Sequence, residues 1–451
     1  MQKTTLVWFR RNLRLADNAV LRAAAQEGLP LAAVFVFDRP SENDNPRQTE
    51  FLYRSLQPLH QDLGRLGIPL FVERGDAAEQ VAACAARLNA AAVWADESAA
   101  PDGRACDNRT WRLLDAAGVR FERANDRNVF AKNEIMGNYG SPIADFESYR
   151  QAWLRAFEQR FGGFRSAETY GFRSAETHFA HFSETYGFSS AETRYARFQT
   201  AFAALPPFPE RSALGITETD LAQTGGEAAA WQLWQDFEPM AADYALLRAF
   251  AAKKYTAQLG PYLSAGCISP RMLAVQAAQK QAQAWLDNLI LRDFYHQQLF
   301  HFPPSDLGWA AECSAGDLAR WQQGQTGFPL IDAAMRCLNA GGWLHPLLRQ
   351  AVAEFWCGML GGSWQHGAAW FARCQTDYDE AVNIGNWRTA AKQGGKSDRR
   401  RLVRQAQQLD PDGTFVRRHL PELAHLPKNW IHTPWLAGLD IDCHGYPPPM
   451  V

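Results

Sequence analysis

Residues 377–387 hold the side chains of this chain best suited to chemistry. The segment reads Asp-Tyr-Asp-Glu-Ala-Val-Asn-Ile-Gly-Asn-Trp, so the carboxylates of Asp377 and Asp379 precede the amide of Asn383 and the indole of Trp387. Buried carboxylates need a cationic or hydrogen-bonding partner. A large, polar, aromatic and redox-active ligand would meet that need. The alternative is a helix end whose Asp and Asn side chains cap neighbouring turns.

The elements that position this segment belong to a chain of 451 residues, which is long enough for two or three domains. A hydrophobic fraction of 47% supports sizeable cores and excludes global disorder. The eight cysteines include no Cys-x-x-Cys pair. This argues against a zinc site and against a disulfide framework, and it favours a reducing compartment.

The N-terminal residues give no sign of a targeting segment, because the first apolar run covers only residues 6–9. No uninterrupted apolar run approaches the roughly 20 residues that a membrane-spanning helix needs. We therefore expect a soluble, cytoplasmic protein without membrane contact, and we expect a monomer.

The charge of the chain is unevenly distributed. The formal net charge is −2, but residues 388–418 contain nine Lys/Arg and three Asp, which leaves an excess of six positive charges there. A local basic patch of this kind can hold a phosphate backbone. A solvated basic loop explains the same residues equally well.

Short apolar runs and helical periods alternate over residues 1–130, as in α/β domains. We predict buried strands at 6–9, 31–37, 69–72 and 91–94, with helices between them at 51–66 and 77–88. This pattern is typical of a parallel, doubly wound sheet. No Gly-x-Gly-x-x-Gly follows the first strand, so a dinucleotide-binding Rossmann site is not indicated.

A six-residue unit occurs three times between residues 160 and 200. Phe-Arg-Ser-Ala-Glu-Thr stands at 164–169 and at 172–177, and Phe-Ser-Ser-Ala-Glu-Thr stands at 188–193. Solenoids need repeats of about 20–50 residues, so this unit predicts a duplicated linker instead. From about residue 225 the periodicity is helical. We divide the chain into an α/β domain at 1–135, a linker at 136–224 and a helical domain at 225–440.

Three segments carry a resemblance to a known family. They are Trp-Phe-Arg-Arg-Asn-Leu-Arg-Leu-Ala-Asp-Asn at 8–18, a stretch of more than twenty residues at 321–343, and the cluster at 377–387. Together they resemble the DNA photolyase and cryptochrome family, and most of all the class I cyclobutane pyrimidine dimer photolyases. The resemblance implies an α/β antenna-type domain followed by an all-helical FAD-binding domain. It also implies a second, antenna chromophore, with methenyltetrahydrofolate favoured over a deazaflavin.

The resemblance assigns flavin contacts to several residues. The segment 255–271 is similar to the family's phosphate-binding loop, in which backbone amides at a helix start hold the flavin phosphates. Asp377 and Asp379 would face the isoalloxazine ring, and Asn383 would lie near its N5 atom. The cofactor-binding residues implied are Tyr244, Thr256, Ala257, Gln258, Leu259, Gly260, Trp285, Asn288, Arg292, Asp377, Asp379 and Asn383.

Trp285, Asn288 and Arg292 fall at i, i+3 and i+7 and therefore share one face of a predicted helix. In the family this face contacts the flavin and lines the pocket for damaged bases. Arg292 is the expected partner of Asp377, because an Arg–carboxylate pair offsets the burial of both charges.

The substrate pocket implied by the resemblance departs from the pattern of the repair enzymes. Dimer photolyases carry Glu where Asn288 stands and Trp where Leu291 stands. They carry Asn, and the (6-4) photolyases carry His, where Pro346 stands, and proline removes a backbone donor as well. The substrate-binding residues implied are Asn288, Leu291, His345, Pro346 and Arg349.

Two tryptophans match the family's electron relay, which photoreduces the flavin. Trp364 lies 13 residues before Asp377, and Trp387 lies ten residues after it. With Asn383, these are the residues to which the resemblance gives a direct part in the photochemistry. The distal tryptophan is not fixed, since Ala311 aligns with it and Trp309 is only nearby. Each tryptophan also has a simpler interpretation as a core aromatic.

The resemblance implies light-dependent repair of ultraviolet-induced pyrimidine dimers in DNA, by electron transfer from excited reduced FAD and without a metal. The enzyme would be a deoxyribodipyrimidine photo-lyase, a carbon–carbon lyase. The alternative is a cryptochrome-like blue-light photoreceptor that binds FAD and repairs nothing. A third possibility is a flavin-poor relative that binds DNA by charge alone.

Overall fold

The computed structural model describes residues 2–38, 45–161, 205–304, 313–393, 398–437 and 442–450. The repeats at 164–193 and the positions of Trp309 and Ala311 lie outside the described residues. The chain forms two compact units. The α/β unit comprises Met1–Glu42, Gln48–Glu238 and Gln258–Pro303, and the helical unit comprises Asn43–Arg47, Pro239–Ala257 and Pro304–Val451. The predicted division at 1–135, 136–224 and 225–440 stays a prediction.

A five-stranded parallel sheet forms the centre of the α/β unit, in the order β3-β2-β1-β4-β5. The strands are β1 Thr4–Phe9, β2 Leu31–Phe37, β3 Leu70–Arg74, β4 Ala90–Asp96 and β5 Arg120–Ala124. Every residue of β1 is buried, because helices cover both faces of a doubly wound sheet and its central strands must be apolar throughout. The predicted doubly wound sheet is confirmed.

In the described residues four helices lie between the strands, and two of them begin at a residue whose side chain satisfies free amides. The side chain of Asn18 accepts from the Leu21 amide at the start of the first helix, and Asp76 accepts from the Ala78 and Glu79 amides at the start of the third. These four helices are α1 Ala19–Gln26, α2 Pro46–Arg65, α3 Ala77–Arg87 and α4 Pro101–Ala116.

Within the described residues, five further helices belong to the α/β unit: α5 Phe146–Phe161, α6 Glu227–Phe237, α8 Gly260–Ala265, α9 Pro270–Gln279 and α10 Gln283–His301. A buried network of charges ties the turn after β1 to α9. Asp126 accepts from Arg14 at 2.6 Å and from Arg271 at 2.8 Å, and Arg271 also pairs with Asp17 at 2.7 Å. The N-terminal signature at 8–18 therefore has a structural role within this unit.

The described part of the helical unit contains the helices α7 Tyr244–Leu247, α11 Ala315–Gln323, α12 Pro329–Gly341, α13 Pro346–Glu354, α14 Trp364–Cys374, α15 Glu380–Gln393, α16 Arg399–Leu409 and α17 Thr414–His419. A π-turn at Phe355–Met359 follows α13. Large aromatic side chains fill the core of the helical unit, among them Trp321, Trp356 and Trp387. None of the helices in the described ranges is long and apolar enough to cross a membrane.

Candidate functional site

Asp379 stands at the start of α15 (Glu380–Gln393) and caps it. Its Oδ1 accepts from the Ala381 amide at 3.1 Å and from the Val382 amide at 3.3 Å. These amides belong to the first turn of the helix, where no helical carbonyl can reach them. The capping interpretation of the Asp/Asn cluster therefore describes Asp379.

Asp377 has a different environment. Its Oδ2 pairs with Arg349 Nη2 at 2.6 Å, and the carboxylate is 7% exposed. Its Oδ1 is buried, and no donor among the described residues reaches it. A buried oxygen without a donor is unfavourable by about 1–3 kcal/mol. Asp377 thus presents an acceptor that a bound ligand with an N–H or O–H group would satisfy.

Arg292 belongs to the α/β unit and Asp377 to the helical unit, so their predicted pair stays a prediction. Within the α/β unit, the guanidinium of Arg292 donates to the Arg127 carbonyl at 2.5 Å and to Asn128 Oδ1 at 3.2 Å. Asp377 takes Arg349, which lies in the first turn of α13 (Pro346–Glu354). Helix spacing identifies a face but does not show which of several arginines reaches a distant carboxylate.

Asn383 is 7% exposed and links α15 to α14 (Trp364–Cys374). Its Nδ2 donates to the Ala368 carbonyl at 2.9 Å. That contact uses one of the two N–H groups of the amide, so a ligand beside Asn383 would find the other N–H group and the acceptor oxygen. The expected contact of Asn383 with a flavin stays a prediction.

Trp387 is 2% exposed and packs directly on the backbone of α14 at Gly367. A Cβ atom at Gly367 would overlap the indole ring, so only glycine leaves room for it. The ring also meets Phe371 at 5.1 Å and Trp321 at 6.1 Å between centroids, both edge to face. The tight packing fixes the orientation of the indole.

The contact between Trp321 and Trp356 was not predicted from the sequence. Trp321 lies 4.9 Å from Trp356 between centroids, so Trp387, Trp321 and Trp356 form a continuous buried series. Trp364 begins α14 and packs, partly buried, against the same core, without a ring contact in the part of the chain that the structure describes. No spacing could have indicated the series, because its three rings come from three separate segments.

His345 is the N-cap of α13 (Pro346–Glu354), and its Nδ1 accepts from the Leu347 amide at 3.2 Å. Burial, reinforced by the charges of Arg349 and Arg248, lowers the pKa of His345 to about 4, so the ring is neutral at pH 7. Since Nδ1 accepts, the single proton sits on Nε2. Nε2 is buried without a partner among the described residues and presents a donor.

Pro346 occupies the first position of α13 and is exposed. An amide at that position has no helical partner in any case, so the proline removes no hydrogen bond from the fold. The expected loss of a backbone donor is therefore without consequence here. What the substitution removes is a polar side chain.

The three residues expected on one face of α10 (Gln283–His301) have different surroundings. Trp285 is buried and packs against Trp234 at 4.6 Å between centroids. Asn288 is exposed, and its Nδ2 donates back to the Trp285 carbonyl at 3.2 Å. Leu291 is half-buried and Arg292 is buried. The indole and the guanidinium are therefore buried, whereas the Asn288 amide is not.

The predicted phosphate loop divides between the two units. In the helical unit, Tyr244 and Ala257 are buried, and Thr256 has a buried hydroxyl without a partner in the described chain. In the α/β unit, Gln258 adopts a left-handed backbone with φ of +50°. Leu259 precedes α8 (Gly260–Ala265) and provides no side-chain cap for it.

The chemistry of these atoms fits a flavin dinucleotide. Asp377 Oδ1 accepts, His345 Nε2 donates and the Thr256 hydroxyl can do both. A flavin ring and its phosphates offer many donors and acceptors, and the protein provides no other partner for these three atoms within the described ranges. No group of three metal-binding side chains occurs in those ranges.

Comparison with known proteins identifies the family. Residues 5–166 match the family model for DNA photolyase, and residues 285–451 match the family model for the FAD binding domain of DNA photolyase. A deoxyribodipyrimidine photo-lyase of Vibrio cholerae is 30% identical over 95% of this chain and 92% of its own length. The chain belongs to the DNA photolyase and cryptochrome family.

Other members of the family are also similar along nearly the whole chain. A cryptochrome DASH of Synechocystis is 29% identical over 96% of this chain and 91% of its own. The crystal structure of a class III photolyase from Agrobacterium tumefaciens, 25% identical, superposes with a TM-score of 0.82 and covers 100% of this chain and 95% of its own. The predicted fold class is confirmed. Membership of the photolyase and cryptochrome family does not by itself separate DNA repair from light sensing.

Proposed function

We propose that this protein is a deoxyribodipyrimidine photo-lyase that repairs ultraviolet-induced pyrimidine dimers in DNA with the energy of light. The observation that carries the proposal is its similarity, over nearly the whole length of both chains, to the Vibrio cholerae photo-lyase. The unsatisfied atoms of Asp377 and His345 support it, since they suit a large polar cofactor.

FAD, when bound in its reduced form, supplies the excited electron donor. The residues of the chain hold and shield it. Asp377, oriented by Arg349, offers its free oxygen to a donor, and His345 offers its Nε2 proton to an acceptor. Asn383 adds an acceptor oxygen, while the packed indole of Trp387 keeps water from the core side. We also propose a second chromophore, methenyltetrahydrofolate, which denaturing the purified protein would release for chromatography.

The substrate in this proposal is DNA with the dimer turned out of the stack. Asn288, Leu291, His345, Pro346 and Arg349 are the proposed contacts. Exposed arginines of α16 (Arg399–Leu409) would contact the phosphates. In this proposal the side chains of the protein contribute positioning, and none of them acts as a nucleophile.

The second candidate is a photoreceptor that binds FAD without repairing DNA. The similarity to cryptochrome DASH favours it, as do Asn288 and Pro346. Both of these side chains are exposed, and Asn288 is bonded to its own helix. Neither therefore provides a buried polar group for recognising a dimer.

A repair assay separates the two candidates. Protein with reduced FAD is mixed with an oligonucleotide carrying one thymine cyclobutane dimer, and dimer loss is followed under blue light and in darkness. We expect loss only in the light. An unchanged dimer, with FAD bound and photoreducible, would exclude repair of this lesion and favour the photoreceptor.

The matched control for this assay is Trp387→Phe with chemically reduced flavin. Reduction then no longer depends on the tryptophan, so repair should persist. Loss of repair in this variant would mean that the substitution disturbs the pocket itself.

A further inference from the structure

A short segment that follows β2 (Leu31–Phe37) in sequence belongs to the helical unit. Within it, the buried Asn45 donates through Nδ2 to the Ala372 carbonyl and to the Gln375 carbonyl, each at 2.7 Å. Ala372 lies in the last turn of α14 (Trp364–Cys374), where carbonyls have no helical partner. One amide group therefore holds the end of α14 and the first residue after it.

Arg47, two residues further on, makes the equivalent contact with another helix. Its Nη2 donates to the Asn339 carbonyl at 2.5 Å and to the Ala340 carbonyl at 3.2 Å. Both carbonyls belong to the C-terminal turn of α12 (Pro329–Gly341), where a positive charge is favourable. The 45–47 segment thus caps two helix ends at once.

The two capped ends meet at Gly342. This residue has φ of +70°, and its carbonyl accepts from the Thr376 amide at 2.8 Å. A Cβ atom there would lie 2.5 Å from Thr376 Oγ1 and 2.7 Å from Arg47 Cδ, so any other residue would separate the segments. The junction therefore has a single close-packed arrangement.

Both loops that leave this junction carry residues of the candidate site. One leads from Gly342 to His345 and Arg349, and the other leads from Thr376 directly to Asp377. Arg349 connects them, since its Nε donates to the Leu344 carbonyl at 2.7 Å while its Nη2 pairs with Asp377. The position of the Asp377 carboxylate thus depends on how the junction is held.

We propose that Asn45 is a positioning residue for Asp377. By holding the Gln375 carbonyl it fixes the loop from which Asp377 presents its free oxygen. The role of that oxygen in binding FAD rests on the proposed function, whereas the ordering of the loop does not. FAD binding and the ordering of the loop can be measured separately.

Asn45→Asp tests the proposal, because it preserves the size of the side chain and replaces the donor with an acceptor. Asn18→Asp is the matched control. Asn18 is also buried, and its Nδ2 also donates to two backbone carbonyls, of Asn12 at 3.1 Å and Arg14 at 2.9 Å, but in the α/β unit. Both variants lose the same kind of contact and should lower the Tm.

The first measurement is the affinity of the FAD-free protein for FAD, by quenching of flavin fluorescence. We expect Asn45→Asp to weaken binding by about tenfold and Asn18→Asp to change it by less than about twofold. Asn45→Ser, which retains one donor, should fall between Asn45→Asp and the native protein. Equal weakening in Asn45→Asp and Asn18→Asp would overturn the proposal, since a general loss of stability would then explain both.

The second measurement is hydrogen exchange of the amides at 376–383 in the protein without FAD. Asn45→Asp, or Asn45→Ser if the first variant does not fold, should accelerate exchange there, whereas Asn18→Asp should not. Unchanged exchange would overturn the positioning role. If the native protein does not bind FAD, the proposed function is overturned. The hydrogen-exchange comparison then decides alone whether Asn45 positions the loop.

Discussion

Asp377 and His345 each keep a buried polar atom for which the described part of the chain has no partner. Each such atom makes the ligand-free fold less stable by about 1–3 kcal/mol, and a ligand that bonds to it recovers that energy. One atom accepts and the other donates, so a ligand that satisfies both must carry a donor and an acceptor. The pair therefore argues for binding rather than for stability.

Asp377→Asn should reduce the affinity for FAD by about tenfold or more, because it removes the charge that orients Arg349 and turns half of the acceptor group into a donor. Stability should fall by about 1–2 kcal/mol, since Arg349 is 21% exposed and water compensates in part. FAD titration and urea unfolding measure the two effects. Asp62→Asn, in the exposed pair with Arg65, should change neither. Native affinity in Asp377→Asn would remove this carboxylate from the site.

Trp387→Phe should abolish most of the photoreduction of bound FAD, because phenylalanine is far harder to oxidise than tryptophan. Light-induced bleaching of the flavin absorbance in the presence of a reductant is the measurement. Trp356→Phe is the control, since Trp356 is equally buried but lies beyond Trp321. It should lower stability and leave photoreduction intact. Equal photoreduction in both variants would make Trp387 a core aromatic only.

At the level of elements, α14 (Trp364–Cys374) and α15 (Glu380–Gln393) are held together by the contact of Gly367 with Trp387. In an open helix interior, Gly→Ala stabilises by about 1 kcal/mol. At Gly367 the added methyl group must displace the indole, so Gly367→Ala should destabilise by about 1–3 kcal/mol. Gly341→Ala, with open space around the new methyl group, should not destabilise. Unfolding in urea compares them, and a stabilised Gly367→Ala would contradict the packing.

The strands could be predicted from sequence where they are buried on both faces. The predicted runs at 6–9, 31–37, 69–72 and 91–94 correspond to β1 to β4, to within a few residues. The edge strand β5 (Arg120–Ala124) was missed, because three of its five residues are charged and none of its five residues is buried. Hydrophobic periodicity indicates a strand through its buried apolar residues. An edge strand with little buried surface lacks this pattern and is therefore not predicted.

The candidate site was predictable only in part, for a related reason. The composition of the segment 377–387 indicates a functional site, and in the structure Asp377, Asn383 and Trp387 are buried or nearly buried. The partner of Asp377 was not predictable, because Arg349 is 28 residues away and the chain has many arginines. The residues that Asn45 contacts lie more than 300 positions after it in the sequence, and no local sequence pattern indicates these contacts.

At the level of the whole molecule, buried carboxylates make stability depend on pH in opposite directions. Burial raises the pKa of Asp96 to about 7, although Arg127 opposes the shift. Burial also opposes ionisation of Asp126, but the charges of Arg14 and Arg271 outweigh it and lower the pKa of that carboxyl. Asp96 therefore destabilises the fold as pH rises towards 7, and Asp126 stabilises it above the ordinary pKa of an aspartate.

Asp96→Asn should accordingly be more stable than the native protein at pH 8, by on the order of 1–3 kcal/mol, and should lose that advantage towards pH 4. Asp126→Asn should be less stable at pH 8, because it leaves Arg14 and Arg271 buried without their carboxylate. Urea unfolding at pH 4.5 and pH 8 compares the variants. An Asp96→Asn effect that does not vary with pH would show that Asp96 is ionised throughout.

The excess of positive charge at 388–418 includes the helix α16 (Arg399–Leu409), which buries Leu402, Ala406 and Leu409 and turns Arg400 and Arg404 outward. Neither arginine has a hydrogen bond or ion pair within the described ranges. Arg400 lies in the first helical turn, where a positive charge interacts unfavourably with the helix dipole. The charge of Arg400 therefore does not stabilise the helix. Their Cα atoms are about 6 Å apart along the helix axis, a spacing from which two side chains suit adjacent phosphates.

If they bind DNA, Arg400→Gln with Arg404→Gln should weaken binding to undamaged duplex and reduce the slope of log K against log salt by about 1.8, the value for two phosphate contacts. Fluorescence anisotropy between low and moderate salt measures the slope. Arg112→Gln with Arg155→Gln makes the same change of net charge at two exposed arginines of the α/β unit that are also unpaired among the described residues. Equal slopes in the two double variants would mean that the basic helix acts only through overall charge. A reduced slope in the α16 variant alone, with photochemistry unchanged, would place a DNA contact on that helix whichever lesion the protein repairs.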